Sequence, residues 1–127
     1  MEIIKMVILA LSALLLIFVG SMRLINPIKT FLNSSGIQLN NDVNLLNEMR
    51  GISAVMLCGG ILIGLGIVLP EFRLTSFTIG SLIFLGFVIG RLISISADGK
   101  PNQQITQGIV FEIVLGAANV LGWLSLV

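Results

Sequence analysis

Four long apolar segments occupy most of this chain, and their length is the feature that most restricts its fold. They cover residues 3–22, 43–69, 74–96 and 103–127. An α-helix rises about 1.5 Å per residue, so about 20 apolar residues span the hydrocarbon core of a bilayer. The segments therefore predict four transmembrane helices. We expect residues 1–127 to form a single transmembrane domain of the all-α class.

The first segment has a competing interpretation as a signal peptide. The apolar region of a signal peptide is only about 7–15 residues long and ends at a cleavage site of small residues. The run from Ile3 to Met22 is longer, and the sequence Gly20-Ser21-Met22-Arg23 fits such a site poorly. We interpret this segment as a spanning helix.

The connections between the segments predict the order of the helices. Two of them are short and rich in helix-breaking residues, namely residues 70–73 and residues 97–101. Short connections force an antiparallel, up-down-up-down four-helix bundle. The first and third connections then share one side of the membrane, here called the mouth side. The opposite side, here called the turn side, holds the second connection and both termini.

The first connection, Arg23 to Asn44, is the longest polar stretch. Asn26-Pro27 predicts a turn. We expect Pro27 to Leu32 to form a short helix in the membrane interface, with Ile28, Phe31 and Leu32 facing the lipid. The run from Asn33 to Gly36 should end it.

The overall composition supports a membrane protein and excludes several functions. The chain is 56% apolar and 10% charged, whereas soluble domains carry about 25% charged residues. It has no histidine, no tyrosine and a single cysteine, Cys58, so the common zinc, haem and copper ligand sets, the catalytic triads and an intrachain disulfide are absent. We expect no cofactor. A net charge of +1 gives no basic patch for nucleic acid.

Arg91 and Glu112 lie inside apolar segments and therefore need partners. A charged residue in the middle of the membrane costs about 2.5–3.5 kcal/mol on insertion scales. We predict that Glu112 contacts Arg50 or Arg91. Arg91 is favoured because a tight turn joins its helix to that of Glu112.

Several polar residues fall at related depths on the mouth side, where they could form a ligand-binding or buried polar cluster. Arg91, Ser94 and Asp98 share one helix face, and arginine can bind carboxylates through its planar fork. The candidate residues are Glu48, Arg50, Arg91, Ser94, Asp98 and Glu112. An alternative is that the arginines, including Arg23, extend to lipid headgroups and that Glu48 is solvated.

Small residues give the predicted helices faces for close packing. Gly60 and Gly64 form a GxxxG pair, which permits two helices to approach closely. We predict that the helix packing residues are Gly59, Gly60, Gly64 and Gly116.

A weak internal similarity relates the two halves of the chain. Residues 18–26 resemble residues 87–94, and residues 50–59 resemble residues 107–116. The bundle could therefore consist of two repeated helix hairpins. Chance similarity between helices rich in Gly, Leu and Ile is the alternative.

Taken together, these sequence groups resemble a known family. The groups are Asn47-Glu48-Met49-Arg50-Gly51, Gly59-Gly60, Gly64-Leu65-Gly66, Gly90-Arg91-Leu92-Ile93-Ser94, Asp98-Gly99-Lys100-Pro101 and Glu112 with Leu115-Gly116. Their order and spacing resemble the small bacterial membrane proteins of domain of unknown function 4345, over nearly the whole chain. The resemblance implies a four-helix membrane protein with no assigned activity.

Three functions remain open from the sequence. The first is binding, or helping to transport, a small anionic or lipid-like ligand, in an oligomer. The second is a structural or accessory subunit that packs within a larger membrane complex, with the charged residues as structural ion pairs. An enzyme that uses Glu112 as acid or base is least favoured, because no nucleophile-base pair supports it.

The cellular location follows from the resemblance and from the basic residues. We expect a multi-pass protein of the bacterial inner (cytoplasmic) membrane. More basic residues lie on the mouth side than on the turn side, so the positive-inside rule predicts that the mouth side faces the cytoplasm. Those on the mouth side are Arg23, Lys29, Arg50, Arg91 and Lys100, against Lys5 and Arg73.

Overall fold

The computed structural model describes all 127 residues and contains helices but no strand. The α-helices are α1 (Glu2–Ile25), α2 (Pro27–Ser35), α3 (Val43–Val68), α4 (Arg73–Asp98) and α5 (Gln103–Leu124). One 3₁₀ turn, Pro70–Phe72, joins α3 to α4. Four helices, α1, α3, α4 and α5, are long and apolar enough to cross a membrane. The predicted all-α fold is confirmed, and the chain is a multi-pass membrane protein.

The short helix α2 is longer than the sequence predicts. It continues through Asn33 to Ser35 because the Ser34 hydroxyl donates to the Thr30 carbonyl, which keeps the side chain compatible with a helix. Gly36 then takes the left-handed conformation, with φ of 68°, and ends the helix. The predicted break at Asn33 is therefore wrong by about one turn.

Two glycines allow α1 and α3 to pack backbone against backbone. A Cβ atom at Gly20 would lie 2.9 Å from the Ser53 carbonyl oxygen, and one at Gly60 would lie 3.1 Å from the Ala13 carbonyl oxygen. Any larger residue at these positions would have to push the two helices apart.

The other glycines predicted to pack differ in how close their neighbours lie. A Cβ atom at Gly59 would meet Ile83 of α4, and one at Gly116 would lie 2.9 Å from the Leu85 side chain. Gly64 has only the Ala13 methyl group, at 3.8 Å, which is an ordinary van der Waals distance. The GxxxG pair therefore makes one close contact, at Gly60, and an ordinary contact at Gly64.

The half of the bundle nearest the turn side, here called the turn half, holds most of the hydrophobic core. Its fully buried side chains include Leu9, Ile63, Phe77 and Phe84. Every buried residue of α4 lies between Ser76 and Phe84, and none lies in residues 85–98. The other half, here called the mouth half, is therefore more loosely packed around α4.

Polar contacts also tie the turn half together. The fully buried Asn119 amide donates to the Ser12 hydroxyl at 2.9 Å and so joins α5 to α1. At the turn side, Arg73 donates to the Gly66 carbonyl at 3.2 Å and forms a salt bridge with Glu2. The starts of α1 and α4 are therefore at the same end, as the up-down-up-down order requires.

Candidate functional site: a polar cavity in the mouth half

The mouth half encloses a cavity of about 420 Å³. It is bounded by α3, α4 and α5 and covered by α2. Most of its apolar wall comes from side chains that include Phe31, Ile52, Phe87, Ile105 and Ile109. A smaller cavity of about 150 Å³ adjoins it beside α1, and Arg23 and Arg91 line both. The two guanidinium groups therefore lie at the boundary between the cavities.

Helix α2 lies across the mouth because two side chains at the start of α5 hold its end. The Asn102 amide donates to the Ser35 carbonyl at 2.8 Å, and the Gln104 amide donates to the Asn33 carbonyl at 3.2 Å. Asn102 also caps α5 through the Ile105 amide, so it fixes both helix ends at once. The cavity is thus covered on the side that faces water.

Phe31 of α2 faces the cavity, so the predicted contact of this side chain with lipid is wrong. Its ring centroid lies 4.4 Å from the Cζ atom of Arg23. A cation over an aromatic ring is attracted by the negative face of the ring. The Phe31 ring is therefore in contact with the Arg23 guanidinium group inside the protein and not with acyl chains.

The predicted contact between Glu112 and Arg91 is present. Two parallel hydrogen bonds join them, from Arg91 Nε to Glu112 Oε1 at 3.3 Å and from Arg91 Nη2 to Glu112 Oε2 at 3.4 Å. This is the bidentate geometry of an arginine fork, but both bonds are longer than the ~2.7–2.9 Å of a tight pair. The Glu112 side chain is 13% exposed and that of Arg91 is 35% exposed. The pair connects α4 to α5 at the cavity wall.

Arg23 has no such carboxylate partner. It forms no salt bridge within 4.0 Å, and its Nη1 atom lies 4.0 Å from the Met56 sulfur, which is a weak acceptor. Its buried Nε atom makes no hydrogen bond. The site therefore contains two guanidinium groups and one carboxylate, with one guanidinium group incompletely satisfied.

The structure assembles only part of the predicted polar cluster. Ser94 lines the cavity together with Arg91, although it is exposed. Glu48, Arg50 and Asp98 are exposed, form no salt bridge and line neither cavity, so their part in a ligand-binding site stays a prediction.

The positions of these three residues on their helices explain why they do not line either cavity. The cavity face of α3 consists of Met49, Ile52 and Ser53, which recur at the spacing of one helix face. Glu48 and Arg50 flank Met49 and therefore point to either side of that face. Asp98 is the last residue of α4, one turn beyond Ser94, and lies next to solvent.

Helix α2 was the component that sequence patterns did not assign to the site. Arg23 was placed at the mouth by its depth, but contact with lipid headgroups was favoured for it and it was not among the candidate residues. A signal was present, because Asn26-Pro27 turns the chain immediately after Arg23 and Phe31 follows one helical turn later. No cluster of side chains suited to a metal ion is formed anywhere in the chain.

No curated protein and no solved structure matches this chain. A family model described as Domain of unknown function (DUF4345) does match it, over residues 4–123. The match includes all four spanning helices, α2 and the residues of the mouth cavity. The chain therefore belongs to the family called Domain of unknown function (DUF4345), which confirms the resemblance seen in its sequence.

Proposed function

We propose that this membrane protein binds a small anionic, lipid-like ligand in the mouth cavity. The observation that carries the proposal is the charge of the site. Arg23 and Arg91 both line the cavity, and Glu112 is the only carboxylate paired with either of them. An uncompensated charge at membrane depth is costly, so a bound anion would stabilise the second guanidinium group.

The surroundings of Arg23 favour a ligand at this position. Phe31 and Met56 hold the guanidinium group from two sides, and its Nε atom still lacks an acceptor. An oxygen of a ligand would supply that acceptor. The apolar walls around the arginines suit an apolar body attached to the anionic group, which is the usual composition of a small-molecule site.

Binding of octanoate to the purified protein in nanodiscs tests this proposal. Two compounds of the same chain length serve as comparisons: octylamine, which is a cation, and 1-octanol, which is uncharged. We expect saturable binding of octanoate, above that of empty nanodiscs, and at least tenfold weaker binding for Arg23→Gln. Lys29→Gln is the matched control, because Lys29 is an exposed cation of α2 that lines neither cavity. Equal binding of the three compounds, or no effect of Arg23→Gln, would overturn the proposal.

A role in transport would extend this function and would need an oligomer. The cavity reaches Gly86 and Ile109 but goes no further, and Phe77, Phe84 and Asn119 are fully buried beyond it. One copy therefore offers a path through about half of the membrane. The mass of the protein in native nanodiscs tests this extension, and a strictly monomeric, ligand-binding protein would contradict it.

A structural role in a larger membrane complex is the second candidate. It is favoured by the Arg91–Glu112 pair, which needs no ligand, and by residues 85–98 of α4, which are not buried. A copurifying membrane protein in native nanodiscs would support this role. If the double variant Arg91→Gln with Glu112→Gln keeps its stability but loses octanoate binding, the pair serves the ligand and the structural role is rejected.

The proposed location is the cytoplasmic membrane of a bacterium, with the mouth side facing the cytoplasm. Cysteine labelling in a Cys58→Ser background tests the orientation. Ser34 and Lys100 are exposed on the mouth side, and Glu71 is exposed on the turn side. Cysteines at the first two positions should be labelled only from inside, and a cysteine at position 71 only from outside. Labelling of all three from one side would contradict the up-down-up-down order itself.

A further inference from the structure

The mouth cavity has an opening between α3 and α4. Ile52 of α3 and Gly86 and Gly90 of α4 all line the cavity, and all three are exposed. A Cβ atom at either glycine would meet nothing within 4 Å. The cavity wall is therefore interrupted at this position, where two neighbouring helices would normally be in contact.

The opening faces the hydrocarbon of one leaflet. Gly86 is near the middle of α4, and Ser94 is about 12 Å further along the helix by the helical rise. This range corresponds to most of the half-thickness of a hydrocarbon core of about 30 Å. A molecule that passes between the helices here comes from among the acyl chains, so it must itself be soluble in lipid.

The side of the cavity that faces water is covered instead. Phe31 and Ser35 of α2 line the cavity from above, and the bonds from Asn102 and Gln104 hold α2 in place. The lateral opening is therefore the less obstructed route.

Charge and size define what the site would accept. Two guanidinium groups and one carboxylate leave a single positive charge, which one monoanion neutralises. A carboxylate offers two oxygens to the planar fork of an arginine. The volume of about 420 Å³ is near the lower end of the ~300–1,000 Å³ of small-ligand sites, which suits one chain with a compact headgroup.

We propose that the site takes a single-chain, monoanionic amphiphile of the fatty-acid type, which enters from the leaflet between α3 and α4. Its carboxylate lies between Arg23 and Arg91, and its chain lies along the small residues of α4. This inference rests on the proposed function, because it specifies the class of ligand and the route to the same arginine site.

Photolabelling in nanodiscs tests the inference. The probe is palmitate with a photoreactive diazirine in the first half of its chain, and the labelled residues are identified by mass spectrometry. We expect labelling at Ile52, Met49 or Phe87 on the opening. Oleate should compete with the probe, whereas oleyl alcohol and oleylamine should not.

Gly90→Leu should reduce this labelling at least tenfold, because the new side chain occupies the opening. Gly51→Leu is the matched control, since a Cβ atom there also meets nothing within 4 Å and Gly51 lines neither cavity. Circular dichroism and thermal melting check that the variants fold, and Gly86→Leu replaces Gly90→Leu if that variant does not.

The outcomes separate the two proposals. The inference is overturned if the palmitate probe labels no residue of the opening, or if Gly90→Leu leaves the labelling unchanged. The proposed function still stands in that case, provided that octanoate binds and that its binding depends on Arg23. If neither octanoate nor the probe binds, both are overturned.

Discussion

In the turn half of the bundle the glycines are in contact with the neighbouring helix, whereas four helical glycines of the mouth half, Gly51, Gly86, Gly90 and Gly108, face open space. A Cβ atom at Gly80 would meet the Asn119 amide, and one at Gly122 would meet the Phe77 ring. At Gly86 and Gly90 it would meet nothing within 4 Å. The same residue type therefore permits close packing at one end and forms the wall of a cavity at the other.

The two halves differ because different side chains face their glycines and because the short connection between α3 and α4 lies at one end only. Beside Gly80 and Gly122 of the turn half, a polar or a large side chain fills the space. In the mouth half of α4, Gly86, Gly90 and Ser94 are all small, and no side chain from α3 replaces the missing volume. The short connection Pro70–Phe72 keeps α3 and α4 together at the turn side only. The exception is Gly20 in the mouth half of α1, which is in contact with α3 because this pair remains close over most of its length.

The largest expected effect distinguishes the two halves of α4. Gly80→Leu forces the buried Asn119 amide to move, and we expect the free energy of unfolding to fall by roughly 2–5 kcal/mol. Gly90→Leu should be neutral or gain up to about 1 kcal/mol, because leucine favours a helix more than glycine does. Reversible unfolding in mixed micelles measures both values. Equal losses for the two variants would show that the mouth half is as tightly packed as the turn half.

The Arg91–Glu112 pair should give the next largest effect, because it is the main charged contact in the mouth half. We expect Arg91→Gln and Glu112→Gln each to lower the free energy of unfolding by about 1–3 kcal/mol. This lies between the ~0–1 kcal/mol contributed by an exposed ion pair and the ~3–5 kcal/mol lost when a buried pair is broken. The double variant should recover part of the loss. The same unfolding assay gives the coupling energy, and strictly additive losses would mean that the two side chains do not interact.

The polar contact in the turn half should have a smaller effect. A double-variant cycle of Ser12→Ala and Asn119→Ala should show a coupling of about 0.6–1.7 kcal/mol, from the average to the largest value found for hydrogen bonds between membrane helices. Thr78→Ala paired with Asn119→Ala is the control, since Thr78 is exposed and bonds only to its own helix. A coupling of zero for Ser12 and Asn119 would mean that van der Waals packing alone holds α5 to α1.

The smallest effects are expected at the exposed charges of the mouth half. Glu48→Gln, Arg50→Gln and Asp98→Asn should each change the free energy of unfolding by no more than about 0.5 kcal/mol. Octanoate binding should also be unchanged, because none of the three lines either of the two cavities of the site. A loss of binding in any of them would restore that residue to the site and extend the polar cluster beyond Arg23, Arg91 and Glu112.

The sequence could predict the Arg91–Glu112 contact because its reason is local and strong. A carboxylate in an apolar segment needs a cation at the same depth, and a tight turn brings the two helices together. The sequence could not predict that Arg50 lies outside the cavity. Its depth is suitable, but its position on α3 relative to Met49 and Ser53 directs it away from the cavity. Depth is set by counting residues along one helix, whereas register depends on how two helices face each other.

By itself, the sequence determined the four membrane-spanning helices, their breaks and the family, because segment length and turn residues act locally. Only the tertiary structure decided that α2 covers the mouth, that Phe31 contacts Arg23, and that the wall of the cavity is open between α3 and α4. These features depend on which side chains meet across helices. Packing in a membrane is set by shape and not by the hydrophobicity that marks the segments, because lipid tails are as apolar as the side chains that face them.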